Sequence, residues 1–97
     1  MADLLERLQK WYLSQCNGDW EHTYGITIST IDNPGWLLEI DLDDTELASK
    51  AFDEINVQRV NTDDWVRCTI DGKKFRGSGG PENLGEVIAE FLRWAGQ

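Results

Sequence analysis

The spacing of apolar residues changes twice along this chain, and that change limits the available folds more than any other feature. Near the start, Leu4, Leu5, Leu8, Trp11 and Tyr12 recur at three and four residues, which lays one apolar stripe along a helix. From Thr23 the period drops to two. Tyr24, Ile26 and Ile28 fall on one side, with Gly25, Thr27 and Ser29 on the other, as in a strand with one dry face. Helical spacing returns with Leu84, Val87, Ile88, Phe91, Leu92 and Ala95. Strands with one apolar face need a cover, and the two amphipathic helices supply it. The predicted fold is therefore α+β: an antiparallel sheet of four to five strands, with N- and C-terminal helices packed on one face and the other face wet.

Local signals set the boundaries. Asp3 and Glu6 form a capping-box pattern, and Asn17-Gly18 supplies a left-handed stop, which predicts a helix over about residues 3–16. Asn33-Pro34-Gly35 reads as a turn in which proline presets one dihedral and glycine takes a positive φ. It leads into a strand over 36–42 with Trp36, Leu38, Ile40 and Leu42 inward. Residues 43–51 are polar and too few for an independent helix, so they read as a loop. A third strand follows over 52–60, with Ile55 and Val57 inward. A fourth covers 65–70, with Val66, Cys68 and Ile70 inward. Asp71-Gly72 is a hairpin signal before a short fifth strand over 73–77. Gly79 and Gly80 then break the strand, and Pro81 suits the first helical position. Glu82 and Glu86 favour the positive end of that helix, and Arg93 the negative end. At 97 residues the chain fits one domain spanning residues 1–97.

Charge narrows the function classes. Eighteen Asp and Glu against nine Lys and Arg give a net charge of −9, which repels nucleic acids and anionic membranes and attracts basic partners. No apolar run approaches the roughly 20 residues that span a bilayer. Asp3 and Glu6 stand where an export signal is basic, so a cytoplasmic protein with Cys16 and Cys68 as free thiols is expected. The lone histidine, His22, could act as a base towards Cys16, but nothing in their spacing holds the two together across Asn17-Gly18. In an extended segment Glu21 and His22 project to opposite sides, and Asp41-Leu42-Asp43-Asp44 lacks the spacing of a calcium loop. The glycine-rich stretch at 77–81 lacks the Lys-Ser/Thr pair of a phosphate loop. Lys73, Lys74 and Arg76 read as balancing nearby carboxylates. The expectation is a protein with no catalytic residue, no metal and no cofactor, hence not an enzyme.

What remains is a binding surface. Between Asp32 and Asp64 lie ten carboxylates opposed by Lys50 and Arg59 alone, a net −8 in the middle third of the chain. Asp41, Asp43, Asp44, Glu46, Asp53 and Glu54 belong in or beside one loop region. They would steer a partner with a basic cleft, unless they form only a solvated face. Of the tryptophans, Trp36 reads as core. Trp65 shares its strand parity with Arg67 and Thr69 and should face the wet side. Trp20 sits in a loop between two carboxylates, either as a docking anchor or capped by a neighbouring loop. An exposed strand edge leaves a homodimer open.

Leu4–Trp36, and above all the QCNGDWEHTYG segment at Gln15–Gly25 and the DNPGW turn at Asp32–Trp36, resembles the immunity protein 53 family. So does the GGPENL lead into a C-terminal helix ending FLRWA. The resemblance implies a cytoplasmic bacterial protein of a polymorphic toxin system that binds and neutralises a cognate toxin, often a nuclease. Trp20, Glu21 and His22 match the family's pattern and become candidate partner-binding residues with the carboxylates above and Trp65. An adaptor for a basic host protein, and a small hydrolase using His22 with Asp19 or Glu21, are the competing classes.

Overall fold

In a computed structural model that describes residues 3–97, the chain forms three helices and one five-stranded sheet. The first two residues of the single-domain reading lie outside the described residues. Helix α1 (Leu4–Gln15) begins where the capping pattern places it: the Asp3 carboxylate accepts the Glu6 N–H at 2.8 Å. A four-residue helix α2 (Trp20–Thr23) follows, inside a segment expected to be loop. The strands are β1 (Ile26–Ile31), β2 (Gly35–Asp41), β3 (Ile55–Gln58), β4 (Trp65–Asp71) and β5 (Lys74–Gly79), and α3 (Leu84–Ala95) closes the chain. The sheet order is β1-β2-β5-β4-β3, and every neighbouring pair is antiparallel.

The alternation seen in the sequence sets the faces. Leu38, Ile40, Val66, Cys68 and Phe75 are buried against Val87, Ile88, Phe91 and Leu92 of α3. Helix α3 lies on β2, β4 and β5, while α1 leans on α3 through Leu8 and Trp11. The close approach of α3 depends on Gly77. A Cβ there would stand 2.4 Å from Cγ1 of Val87 and 2.9 Å from the Phe75 ring. On the uncovered face stand the exposed side chains of Arg67, Lys74 and Arg76, with Trp65 half-buried on the parity of Arg67.

Several local expectations are corrected. Trp36 is half-buried rather than core, and its indole N–H donates to the Pro81 carbonyl at 2.9 Å, because α3 has not yet begun above it. Gly35 needs no positive φ. The Asn33–Pro34 peptide is cis, and glycine is required because a Cβ would meet the Gly79 carbonyl oxygen at 2.2 Å. The third strand is half the predicted length, since Phe52 turns into the helical layer against Phe75 and Trp94. Pro81 lies in a turn before α3, which starts at Leu84.

Adjacent strands run in opposite directions, so the sheet has two distinct ends. One gathers the turns at 32–34 and 59–64 and the lead into α3. The other gathers the start of β1, the connection from β2 to β3 at 42–54, and the turn at Asp71-Gly72.

Candidate interaction surface

The 42–54 connection crosses the second end of the sheet with no regular structure, as its polar composition suggested, and it is anchored from below. Leu42 and Leu47 are buried, and Phe52 packs edge-on against Phe75 and Trp94. The Trp94 indole donates to the Ala51 carbonyl at 2.8 Å. Lys50 turns back to the end of α3, donating to the Trp94 carbonyl with its ammonium 5.9 Å from that ring, where a cation favours the negative end of the helix. With its large apolar residues turned inward and its one lysine held at the end of α3, the connection leaves its carboxylates outside.

Those carboxylates differ in what they touch. Asp41 accepts the Gly25 N–H at 3.0 Å and pairs with Lys74 at 3.3 Å. Glu46 accepts the indole N–H of Trp11 at 3.2 Å and the side-chain amide of Gln15 at 2.9 Å. Glu54 accepts the Thr69 hydroxyl. Asp44 stands at φ 59°, a left-handed conformation that Asp tolerates better than most residues. Among the described residues, Asp43, Asp44, Glu46, Asp53 and Glu54 have no cation within ion-pair distance. Tyr24, half-buried at the foot of β1, senses the convergence: burial first, then the charges of Asp43, Asp44 and Asp41, push its hydroxyl pKa up. The sequence reading assigned Tyr24 only to the inner face of the strand. The adjacency of its ring to the carboxylates was legible only as a tyrosine facing an aspartate pair across the future β1–β2 ladder.

The ten carboxylates of the middle third do not form one patch. Asp32, Asp63 and Asp64 sit at the opposite end of the sheet. Asp64 there joins Glu86 in holding the Arg59 guanidinium, with Asn83 donating to Asp64 at 3.0 Å. Glu39 lies on the open face paired with Arg76 at 3.3 Å. The concentrated negative charge is the narrower set along the 42–54 connection.

Trp20 is not an exposed anchor. It is 3% accessible, edge-on to Trp11 at 6.1 Å and Tyr12 at 6.0 Å, and its indole donates to the Asp43 carbonyl at 2.8 Å. Helix α2 causes the difference by swinging the ring into the gap between α1 and β1. Glu21 holds the turn before α2, its carboxylate accepting the N–H groups of Asn17 and Gly18, each at 2.9 Å. Hydrogen bonds from its own backbone and from Asn17 and Gly18 keep that carboxyl below its ordinary value. His22 is exposed on α2. The Cys16 thiol donates back to the Tyr12 carbonyl, and burial pushes the Cys68 thiol up to about 12. Among the described residues, no three His, Cys, Asp or Glu side chains are grouped to hold a metal ion. No helix there is long and apolar enough to cross a membrane.

The site is thus the loop-crossed end of a two-layer α+β scaffold, where carboxylates stand without counter-ions. The chain belongs to the immunity protein 53 family, whose model matches residues 5–96. Neither the curated proteins nor the solved structures gave a match.

Proposed function

We propose that this chain is the cytoplasmic antidote to a bacterial polymorphic toxin, and that it neutralises a nuclease domain by covering its basic active-site cleft. Family membership supports an immunity protein. The observation that favours a basic target is the run of carboxylates without counter-ions at Asp43, Asp44, Glu46, Asp53 and Glu54, fixed on a connection whose inner side is anchored. A nuclease cleft is lined with cations that await phosphates, and carboxylates presented from an anchored connection meet the same cations. The protein does no chemistry itself in this reading, and its carboxylates act as substrate mimics. The second reading, an acidic adaptor for a basic host protein, draws on the same surface charge and differs only in its target.

The test is affinity for the toxin domain encoded beside this chain, measured at low and high salt. The variant carries Asp43→Lys, Asp44→Asn and Asp53→Lys, with asparagine at 44 because it also tolerates the left-handed backbone. We expect at least about tenfold weaker binding, about 1.4 kcal/mol, and a flatter dependence on salt. Unchanged affinity with unchanged salt dependence would remove this end of the sheet as the interface. Co-expression separates the two readings, since an antidote rescues cells from one particular toxin and an adaptor rescues from none.

A further inference from the structure

The strand register lays the uncovered face of the sheet out in rows. The middle row crosses all five strands as Ser29, Leu37, Ser78, Arg67 and Asn56. The next row towards the acidic end holds Thr27, Glu39, Arg76 and Thr69, and the row beyond it holds Asp41, Lys74 and Asp71. Cations in these two rows are matched within the face. Arg76 pairs with Glu39 at 3.3 Å and with Asp71 at 3.4 Å, and Lys74 pairs with Asp41 at 3.3 Å. The middle row has a single charge, that of Arg67, and no carboxylate. Its neighbours across the two ladders, Asn56 and Ser78, are small and uncharged.

The Arg67 guanidinium stands apart from the others in the molecule. Arg7 donates to the Gln97 carbonyl, Arg59 to Asp64 and Glu86, Arg76 to Asp71, and Arg93 to Glu90. Among the described residues Arg67 donates to nothing and has no carboxylate within ion-pair distance, in a chain with twice as many acids as bases. Its side chain is exposed and borders a groove of about 380 Å³, lined also by Leu37, Thr69, Ser78 and the Arg76–Asp71 pair. The groove combines apolar surface, hydroxyls and two guanidiniums, one already neutralised and one free. That is the chemistry that receives an oxyanion carried on a short stem. The Thr69 hydroxyl donates to Glu54, at the end of the 42–54 connection, so the groove adjoins the acidic surface.

Overall charge limits what can bring an anion here. The net −9 repels nucleic acids, anionic membranes and other polyanions, so the anion has to arrive singly, on a partner that is not itself negative. A basic protein drawn to the 42–54 carboxylates fits that description. We infer, with the proposed toxin as the partner, that the toxin presents one carboxylate side chain to Arg67, and that this pair makes the antidote selective among basic proteins. Any cationic surface responds to the acidic connection at long range. Only one with a carboxylate placed over the middle row satisfies Arg67. A surface that lacks it covers an unpaired guanidinium, at a cost in affinity. The planar head group also fixes orientation, since a carboxylate meets it through two parallel hydrogen bonds.

The test compares wild type, Arg67→Gln and Arg67→Glu by calorimetric titration against the toxin domain encoded beside this chain. Arg67 bonds to nothing in the scaffold, so both variants should keep the wild-type melting midpoint. Arg67→Gln should weaken the complex at least about tenfold, and Arg67→Glu about a hundredfold. The second variant discriminates by sign. It makes the chain more negative, so attraction between an acidic antidote and a basic toxin alone predicts tighter binding, not weaker. Neutralising the toxin's Asp and Glu residues one at a time should find one whose removal abolishes the effect of Arg67→Gln. An Arg67→Glu chain that binds as tightly as wild type, or more so, would overturn the inference and leave the toxin reading intact. So would a loss that no single toxin carboxylate accounts for. A wild-type chain that does not bind the toxin at all ends both.

Discussion

Replacing Trp20 separates a scaffold residue from a docking anchor. The side chain is 3% accessible, with edge contacts to Trp11 and Tyr12 and a 2.8 Å hydrogen bond to the Asp43 carbonyl. Trp20→Ala removes a buried bicyclic ring, which costs about 3–5 kcal/mol. A chain this size has only about 5–15 kcal/mol in total, so the variant should be partly unfolded at physiological temperature. Trp20→Phe is the informative change. It keeps most of the apolar contact and loses the indole N–H bond to the carbonyl of half-buried Asp43. That loss is about 0.5–1.5 kcal/mol, and with the smaller ring the sum is roughly 1–2 kcal/mol. At about 4–8 °C per kcal/mol, the melting midpoint should fall by roughly 5–15 °C. Calorimetry reads the midpoint, and titration with the toxin domain below that temperature reads binding. Trp20→Phe should bind within about threefold of wild type, since the ring is buried in the scaffold. A variant that melts like wild type yet loses binding would show that the indole reaches the interface, and the buried assignment would fail.

Two further perturbations test the scaffold. Gly77→Ala forces a methyl to within 2.4 Å of Val87 and should cost about 1–3 kcal/mol in denaturant unfolding, largely recovered when Val87→Ala opens the space. Lack of recovery would mean that α3 does not approach the sheet through that residue. The Asp64–Arg59–Glu86 cluster should make stability depend on acid. The carboxyl of Asp64 is held below its usual value by Asn83 and Arg59, and that of Glu86 chiefly by Arg59. Each binds its proton less readily folded than unfolded, so the stabilisation is complete above the ordinary carboxyl range and fades as pH falls through the lowered values. Arg59→Met should therefore lower the melting midpoint near about pH 7, and the gap from wild type should shrink below about pH 4. A gap independent of pH would exclude the ion cluster as its cause.

The fold was legible where periodicity and burial coincide. The strands at 26–31, 35–41 and 65–71 and both long helices follow from apolar spacing, because each element has one dry face and the residue pattern must match it. The misreadings share a cause, which is that aromatic side chains act across the chain rather than along it. Trp20 is flanked by carboxylates in sequence, and only the turn of α2 puts it beside Trp11 and Tyr12. Phe52 fits a strand pattern locally, yet the space between Phe75 and Trp94 claims it and shortens β3. Charge was misread in a related way. Summation along the sequence counted Asp32 with Asp44, although the antiparallel order sends their loops to opposite ends of the sheet.

The molecule also carries two surfaces of different electrostatic character. The 42–54 connection holds carboxylates at one end of the sheet, and its lysine is turned away, so its long-range field acts on cations. The β1 edge carries no charge, and its unpaired backbone groups act only at contact distance. A partner found by charge and a partner found by backbone register need not compete. The edge runs along the side of the sheet, and the acidic connection crosses its end.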